Sequence, residues 1–460
     1  MAWTLRCGAG SGMIPDKSSS MDMSMNAPLV DETDRALAEA CDRFIQARPK
    51  TVALHEEACA VMPGGNTRTV LYTPPLPIRV AKAEGAVITD IDGHSYVDLL
   101  GEYSAGIYGH SHPRIKQAVN DALAMGINLG AHHGLEVKLA QVVTRRFDLD
   151  LVRFTNSGTE ANMMALGAAR AFTKRQKILG IKGGYHGGTL YFGGSGALVN
   201  APYDVVLAPF NDSEATRRLI AQHGAELAAV LIEPMLGSGG CLPADPAYLK
   251  MLRQETAERG IILIFDEVMT SRLAPKGWSA RLGIAPDLKT LGKYIGGGMS
   301  FGAFGGRRDI MEQFDPTRPQ PLPHAGTFNN NTLTMTAGFA ALTEIFTPEA
   351  SIALNQRGDR LRERLNDLFM RYQVALKVTG LGSLLNIHPL AGDIRTPEET
   401  AAADPRLRQL LYLDLLEEGY YTAGRGYMAL SLVVSDEHCD GFCAAVERVV
   451  TKRRHLLAPK

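Results

Sequence analysis

One lysine in the stretch DLKTLGKYIGGGM, residues 287–299, stands where chemistry could take place. Leu291 and Ile295 flank Lys293 in a segment typical of a buried region, and three glycines follow. A buried ammonium group is costly unless it is paired or its pKa falls. Lys289, in the same stretch, fits an ordinary solvated position. Lys293 is therefore a tolerated charge, a phosphate clamp or a nucleophile, and other parts of the sequence must decide.

A second candidate is the turn in LVRFTNSGTEANMMALGAAR, which runs from an apolar strand into a helix. Gly158 lets the backbone approach a ligand, while Ser157 and Thr159 offer hydroxyls beside the free N–H groups of the helix start. Such a turn predicts an anion site. A plain Ser/Thr N-cap with Glu160 in the first turn is equally compatible with this motif alone.

Two further turns carry an aromatic ring and a carboxylate. In GIKGGYHGGT, Tyr185 could stack on a flat ligand, and His186 could orient a carboxylate. In IILIFDEVMTSR, Asp266 and Glu267 follow a very apolar strand, so a carboxylate there needs a hydrogen-bonded or cationic partner. A Mg²⁺ ion is one such partner, but no other carboxylate cluster completes its site. A protonated ring nitrogen suits Asp266, with Val268 on the ring face opposite Tyr185.

Together these residues meet the needs of one cofactor. Lys293 lies downstream of Asp266, and HAGTFNNN brings Thr327 in a further glycine-containing turn. The set comprises a hydroxyl-rich phosphate cup, an aromatic platform, a carboxylate for a pyridinium and a lysine able to form an imine. Those are the requirements of pyridoxal 5′-phosphate (PLP).

The elements that position these residues alternate between strand and helix. From about residue 110, short apolar runs such as LVRFT, KILGI, LAAVLIEP and IILIFDE are separated by helical patterns or Gly-rich turns. This alternation predicts a mostly parallel sheet covered by helices on both faces. Ligands bind at the carboxyl ends of the strands in such sheets, and the candidate turns lie there.

The sequence pattern divides the chain into four parts. The N-terminal stretch is rich in Met, Ser and Gly, and its methionines leave open a later start of translation. Before the alternating region, two β-like runs joined by Asp92 and Gly93 predict a hairpin. The predicted parts are a disordered tail (1–30), an N-terminal segment contributing to a small domain (31–105), a large PLP-binding domain (106–345) and a C-terminal small domain (346–460).

The composition argues against several classes of protein. With 48 basic and 49 acidic residues, the chain gives no electrostatic reason to expect a nucleic acid or an anionic membrane as partner. No apolar run approaches the ~20 residues that a membrane span requires. The six cysteines form no Cys-x-x-Cys pair, so neither a disulfide framework nor a zinc ribbon is indicated, and no metal is expected. A cytoplasmic location fits best.

The motifs resemble those of class III aminotransferases, in the fold-type I PLP superfamily. NSGTEAN, GYHGGT, LIEP, FDEVMTSR, PDLKTLGKYIGGG and AGTF match that family's blocks in order, and the resemblance covers about residues 50–450. It implies an α/β fold, with a large domain built on a mostly parallel sheet and a smaller mixed α/β domain. MPGGNTR, GHSHP and GAFGGRRDIM are most similar to the branch containing glutamate-1-semialdehyde aminomutase and the β-amino-acid (β-phenylalanine) aminotransferases.

The resemblance also implies a role for each matching residue. Lys293 resembles the Schiff-base lysine, and Asp266 resembles the partner of the pyridinium nitrogen. Thr327 resembles a phosphate ligand lent by the neighbouring subunit, which implies a homodimer with shared active sites. The other residues implied at the cofactor are Ser157, Gly158 and Thr159 in the phosphate cup, with Tyr185, His186, Glu233 and Val268.

Two departures favour an aminotransferase over an aminomutase. Many members of the family continue the Asp-Glu-Val block with Thr-Gly-Phe-Arg, whereas this chain has Met-Thr-Ser-Arg. Aminomutases tend toward Gly-Thr-Leu-Ser-Gly-Asn-Pro where this chain has GTFNNN. Both changes resemble the β-amino-acid aminotransferases, which implies a β-amino acid donor and a 2-oxo acid acceptor such as 2-oxoglutarate. The alternatives are a glutamate-1-semialdehyde aminomutase and a non-catalytic PLP-binding protein.

Substrate carboxylates call for arginine, whose planar fork matches them bidentately. Arg68 in GGNTRTV and Arg425 in TAGRGYM both lie in irregular, glycine-containing segments. An isolated arginine is more commonly a surface or structural residue, but loop position and resemblance favour substrate binding. We expect Arg68 to hold the β-amino acid carboxylate and Arg425 the α-carboxylate of the acceptor.

Overall fold

The structure is a computed structural model that describes residues 31–127, 129–193 and 198–459. The predicted tail, residues 1–30, lies outside the described residues. Among those residues, no helix combines the length and the apolarity needed to cross a membrane.

The helices follow one another along the whole described chain. In chain order they are α1 (Glu32–Gln46), α2 (Pro49–Cys59), α3 (Pro113–Met125), α4 (Gly134–Phe147), α5 (Gly158–Thr173), α6 (Ser213–His223), α7 (Pro246–Arg259), α8 (Trp278–Leu282), α9 (Arg308–Met311), α10 (Thr332–Ala340), α11 (Pro348–Tyr372), α12 (Pro397–Ala401), α13 (Pro405–Glu417) and α14 (Asp436–Arg453).

The strands fall into one large and three smaller sheets. In chain order they are β1 (Val80–Glu84), β2 (Val87–Asp90), β3 (Ser95–Asp98), β4 (Leu151–Thr155), β5 (Lys177–Ile181), β6 (Val205–Ala208), β7 (Leu227–Ile232), β8 (Met235–Leu236), β9 (Leu242–Pro243), β10 (Ile262–Asp266), β11 (Leu288–Gly292), β12 (Gly302–Gly306), β13 (Lys377–Leu381), β14 (Leu384–His388), β15 (Tyr420–Tyr421) and β16 (Tyr427–Ala429).

The large sheet has the order β4-β12-β11-β10-β7-β5-β6. Its central strands β7, β10 and β11 are buried at every residue, as expected for strands covered on both faces. All of its strands run parallel except β12, which is antiparallel to both neighbours. The predicted mostly parallel α/β sheet is therefore confirmed, and its strand ends bring the candidate turns to one edge.

Strand β12 was missed by the sequence analysis because glycine is a poor strand former. Close backbone approach explains the glycines. A Cβ atom on Gly302 would lie 2.0 Å from the Ser157 carbonyl oxygen, and one on Gly305 would lie 2.4 Å from that of Leu151. Glycine in a strand interior often marks such an approach. Here it lets β12 pack tightly beside β4, next to the predicted phosphate cup.

One of the smaller sheets combines strands from before and after the large sheet. The predicted hairpin is confirmed, since β2 and β3 pair antiparallel across Asp92 and Gly93. Strand β15 adds parallel to β3, while β13, β14 and β16 form a separate sheet. The predicted domain boundaries stay a prediction, although residues before and after the large sheet do pair with one another.

The expectation that Lys289 is solvated is wrong. Lys289 lies on the fully buried β11, and only 6% of its surface is exposed. Its Nζ donates to the carbonyl of Phe147, the last residue of α4, at 2.6 Å. The free carbonyls at a helix C-terminus favour a cation. This local partner accounts for a lysine inside the sheet, which the composition of the segment does not reveal.

Candidate active site

The turn after β4 forms one wall of a cleft at the carboxyl edge of the sheet. Ser157 is the N-cap of α5, and its Oγ accepts from the backbone N–H of Glu160 at 3.2 Å. The expected N-cap is therefore present, and the same residue lines the cleft with Gly158 and Thr159. A Cβ on Gly158 would lie 3.1 Å from both Val268 methyl carbons. The helix start and its hydroxyls together face the cleft, as an anion site requires.

Thr159 connects this turn to the next one. Its Oγ1 accepts from the backbone N–H of Gly188 at 3.2 Å. Gly187 has φ +122°, and a Cβ there would lie 2.1 Å from the Thr159 hydroxyl. Only glycine fits that position. It allows the turns that follow β4 and β5 to pack closely against each other beside the phosphate cup.

Asp266, at the end of β10, is buried and held by three donors. Its Oδ2 accepts from Asn162 Nδ2 and lies within hydrogen-bond distance of His186 Nδ1, both at 2.8 Å. Its Oδ1 accepts from the backbone N–H of Val268 at 3.0 Å. These donors supply the partners that a buried carboxylate needs. They also fix the orientation of the Asp266 carboxylate.

Asn162 is a site residue that the sequence analysis missed. Its Nδ2 also lies within hydrogen-bond distance of the carbonyls of Gly158 and His186, and its Oδ1 accepts from Thr290 Oγ1 at 2.8 Å. It thus ties α5, the His186 turn and Asp266 together. Its position in the second turn of the helix after the cup, inside the NSGTEAN motif, was the available signal.

Glu267 points away from the cleft, since neighbouring side chains on a strand face opposite sides. Its carboxylate accepts from the backbone N–H groups of Trp278 at 2.6 Å and Ser279 at 3.1 Å, at the start of α8. The two carboxylates therefore cannot hold one Mg²⁺ ion together. Among the described residues, no group of three or more His, Cys, Asp or Glu side chains could hold a metal ion.

Glu233 directly follows β7, Tyr185 lies in the turn after β5, and both are near Asp266. The Glu233 carboxylate accepts from the backbone N–H of Tyr185 at 2.9 Å and of Gly237 at 3.1 Å. Burial raises the pKa of Glu233 to about 7; His186 opposes this shift, and the nearby Asp266 adds to it. The Tyr185 ring lines the cleft with Val268 and is 43% exposed, which leaves it free to contact a ligand.

Lys293 follows β11 and reaches into the same cleft. Its backbone has φ +55°, which a side-chain-bearing residue rarely adopts. Its Nζ donates to the carbonyl oxygen of Tyr103 at 2.7 Å. Burial lowers the pKa of Lys293 to about 8, against the opposing effect of Asp266 and Glu233. About a tenth of this amine is therefore neutral at pH 7, far more than for an ordinary lysine, and the neutral form is the nucleophile.

Three glycines follow Lys293. The first two give room to the protein's own core. A Cβ on Gly296 would lie 2.5 Å from the Phe301 Cβ, and one on Gly297 would lie 2.5 Å from the Ala337 carbonyl carbon in α10. Gly298 has open space around it. The glycine run thus serves mainly to pack the lysine's turn against α10.

Arg68 and Arg425 line the cleft with Lys293. Arg68 forms an ion pair with Glu102. Arg425 donates to Ser238 Oγ at 3.1 Å. The ring of Tyr103 lies near both guanidinium groups, with its centroid 5.9 Å from Arg68 Cζ and 5.5 Å from Arg425 Cζ. The structure therefore brings the two arginines to one site, and it adds a tyrosine and a glutamate that no motif indicated.

Thr327 is the one predicted residue placed outside this cleft. It is exposed, in a turn that follows a segment without regular secondary structure. Its suggested contact with a neighbouring subunit stays a prediction.

The cleft has the chemistry that PLP requires. A helix start with hydroxyls suits a phosphate, a buried and oriented carboxylate suits a protonated ring nitrogen, and a lysine of lowered pKa suits an imine. Ser157, Gly158 and Thr159 would hold the phosphate, while Asp266 and Lys293 would hold the ring at its two ends.

Comparison with known proteins agrees with this chemistry. The profile of the class III aminotransferase family matches residues 70–450. A β-phenylalanine transaminase of Variovorax paradoxus is 52% identical over 414 residues, which cover 90% of this chain and 95% of that protein. A glutamate-1-semialdehyde 2,1-aminomutase of Methanothermobacter thermautotrophicus is 36% identical over 418 residues, which cover 87% and 99%.

The solved structures give the same result. The crystal structure of a β-phenylalanine aminotransferase from Variovorax paradoxus has a TM-score of 0.91 and 51% identity, covering 93% of this chain and 99% of that chain. A family profile that matches most of the chain and relatives of this similarity together define the protein's class. The chain belongs to the class III aminotransferases and is a PLP-dependent transaminase of fold type I.

Proposed function

We propose that this aminotransferase moves the amino group of a β-amino acid of the β-phenylalanine type to a 2-oxo acid such as 2-oxoglutarate, in a ping-pong cycle. The observation that carries the proposal is the placement of two arginines, Arg68 and Arg425, in the cleft that holds Lys293. The similarity to the Variovorax enzyme over most of both chains supports it.

Two carboxylate sites fit two kinds of substrate. A β-amino acid holds its amine one carbon further from the carboxylate than an α-amino acid does, so an enzyme that uses both must bind carboxylates at two distances. Arg68 lies on the segment before β1, and Arg425 lies between β15 and β16, so they approach the cleft from different elements. We assign the β-amino acid carboxylate to Arg68 and the α-carboxylate of the acceptor to Arg425.

Lys293 is the group that moves the proton. Bound PLP would draw electrons from the carbon that bears the substrate nitrogen, and it would carry the amino group between the two substrates. Lys293, in its neutral form, would take the proton from that carbon and deliver it to the cofactor carbon that bears the amino group. The Tyr103 carbonyl accepts from the amine, and Asn162 holds the Asp266 carboxylate, which would pair with the ring nitrogen.

The lowered pKa of Lys293 predicts how the apoprotein captures PLP. Only the neutral amine attacks an aldehyde, and its fraction rises about tenfold per pH unit below the pKa. Because burial lowers the pKa of Lys293 to about 8, the capture rate should rise from pH 6 to 8 and then level off. Stopped-flow absorbance over pH 6–10 measures this. A rate that keeps rising to about pH 10, as for an ordinary lysine, would contradict the prediction.

Replacing each arginine tests the assignment of carboxylates. Arg68→Ala should lower kcat/KM for β-phenylalanine roughly 10- to 100-fold, because a charge-assisted hydrogen-bonded pair is lost. Arg425→Ala should weaken the binding of 2-oxoglutarate instead. Single-turnover kinetics with each substrate separates the two effects. An Arg68→Ala enzyme with unchanged kcat/KM for β-amino acids would rule out this assignment.

The second candidate is a glutamate-1-semialdehyde aminomutase, favoured by the 36% identical relative. An aminomutase needs no external acceptor. We expect product from β-phenylalanine only when 2-oxoglutarate is present, and none from glutamate 1-semialdehyde alone. Chromatographic assay with and without the acceptor distinguishes the two activities.

The proposal includes a cytoplasmic homodimer in which Thr327 of each chain contacts the cofactor phosphate of the other. This role is supported by the exposure of Thr327 and by its position outside the lining of its own chain's cleft.

A further inference from the structure

A left-handed turn lies directly beside the site. Four consecutive residues have positive φ: Gly101 at 54°, Glu102 at 47°, Tyr103 at 51° and Ser104 at 77°. Three of them are not glycine, and residues with a side chain rarely adopt this backbone conformation. Residues held in such strained conformations concentrate at functional sites.

Packing holds this turn in place. Asp98 Oδ1 accepts from the backbone N–H groups of Leu100 at 2.8 Å and Gly101 at 3.0 Å. A Cβ on Gly101 would lie 2.4 Å from the Ala429 carbonyl oxygen in β16. The Ser104 side chain is fully buried. The turn is therefore a fixed part of the scaffold, and its strain positions Glu102 and Tyr103.

The turn makes three contacts with the site. The Tyr103 carbonyl accepts from Lys293 Nζ at 2.7 Å. The Tyr103 hydroxyl donates to the Val70 carbonyl at 2.7 Å, which ties down the segment that carries Arg68. Glu102 forms the ion pair with Arg68. One short turn thus connects the reactive lysine with the arginine assigned to the donor carboxylate.

We propose that Glu102 is a specificity-determining residue, a counter-ion that neutralises Arg68 until the carboxylate of the amino donor displaces it. This inference rests on the proposed function, in which Arg68 binds that carboxylate. The side chains of Arg68 and Glu102 are 43% and 52% exposed. Glu102 can therefore move into water when it is displaced, without a buried charge being left unpaired.

The two arginines of the cleft, Arg68 and Arg425, differ in the charge of their partners. Arg425 donates to the neutral hydroxyl of Ser238, and no described carboxylate forms an ion pair with it. An acceptor carboxylate therefore binds Arg425 without displacing a charged group. At Arg68 the donor carboxylate must compete with Glu102, and this competition weakens the binding of every donor that carries a carboxylate. A donor without one leaves the pair intact.

The test uses the holoenzyme and its Glu102→Gln variant. One probe is 3-phenylpropanoate, which has the carboxylate of β-phenylalanine and no amine, measured by calorimetric titration. Because an exposed ion pair is weak, we expect Glu102→Gln to bind this probe about two- to fivefold more tightly and to lower KM for β-phenylalanine by a similar factor. KM for 1-phenylethylamine, which lacks a carboxylate, should not fall.

Three further variants complete the experiment. Glu102→Asp should return the affinity toward the wild-type value, because the charge is restored. Glu102→Asn removes the charge with a residue that tolerates positive φ, so it serves if the glutamine variant folds poorly. Glu418→Gln, which breaks the exposed pair with Arg448, is the matched control and should leave the affinity for the probe unchanged.

The outcomes separate the two proposals. One outcome is that Arg68→Ala lowers the affinity for the probe while neither neutral variant at position 102 raises it. In that case the counter-ion role is wrong and the proposed function stands. If Arg68→Ala leaves the affinity for the probe unchanged, the carboxylate assignment itself is wrong. An equal fall in KM for 1-phenylethylamine in the Glu102→Gln enzyme would also overturn the inference. The effect of the substitution would then not depend on a substrate carboxylate.

Discussion

Lys293→Ala should abolish turnover while leaving a folded protein that still binds PLP. The substitution removes both the covalent anchor and the proton carrier, so we expect a loss of about 10⁴-fold or more in the rate of the half-reaction. Alanine at this position keeps the same backbone strain as lysine at φ +55°. The loss would therefore report the missing amine rather than a relaxed turn.

Two measurements check this prediction. The visible absorption band of the lysine-linked cofactor should disappear, and stopped-flow mixing with β-phenylalanine should show no fast conversion. The matched control is Lys289→Ala, which removes another buried lysine four positions upstream. It should cost about 1–3 kcal/mol of stability, since the Phe147 carbonyl loses its donor, yet transamination should remain. Wild-type turnover in Lys293→Ala would disprove the central role of this lysine.

The comparison of these two lysines shows what a sequence can and cannot tell. Lys293 was recognisable because glycines follow it and because Asp266, at the end of an apolar strand, precedes it. Several turns therefore indicated one chemistry. Lys289 was misjudged because its partner, the Phe147 carbonyl, is 142 residues away in the chain. A composition pattern identifies a buried strand but not the distant group that makes a charge tolerable inside it.

The predicted sheet followed from local patterns, whereas the elements around the cleft did not. Runs such as LAAVLI are apolar throughout and indicate central parallel strands. Strand β12 depends on glycines that fit between β4 and β11, and only the neighbouring backbones explain them. The left-handed turn contains Glu102 and Tyr103, which ordinarily avoid positive φ, so no local signal could have indicated it.

The candidate site divides in the same way. Residues that directly follow strands, such as Asp266 and Ser157, could be predicted because parallel strands end at a common edge. Asn162 and Ser238 act through contacts between separate turns, so their roles emerge only when those turns are brought together. Long-range pairing is the part that one sequence leaves undetermined.

Asp266→Asn should lower kcat strongly while leaving the protein folded. The carboxylate is proposed to keep the PLP ring nitrogen protonated, and a neutral amide cannot do so. Losing one preorganised electrostatic partner costs roughly 10²- to 10³-fold. The amide is nearly the same shape, but its NH₂ cannot accept from Val268, Asn162 or His186. One of these donors is left unpaired, which should cost a further 1–3 kcal/mol or so of stability.

Glu267→Gln separates the charge effect from the structural one. Glu267 is equally buried and follows Asp266 directly, but its carboxylate caps α8 on the other side of the strand. We therefore expect the Glu267 variant to lose stability with its kcat largely kept, and Asp266→Asn to lose kcat far beyond its loss of stability. Thermal unfolding and single-turnover rates measured on both proteins decide the question. Equal losses of kcat in the two variants would mean that Asp266 only supports the fold, because the position of its charge relative to the cleft is what distinguishes it from Glu267.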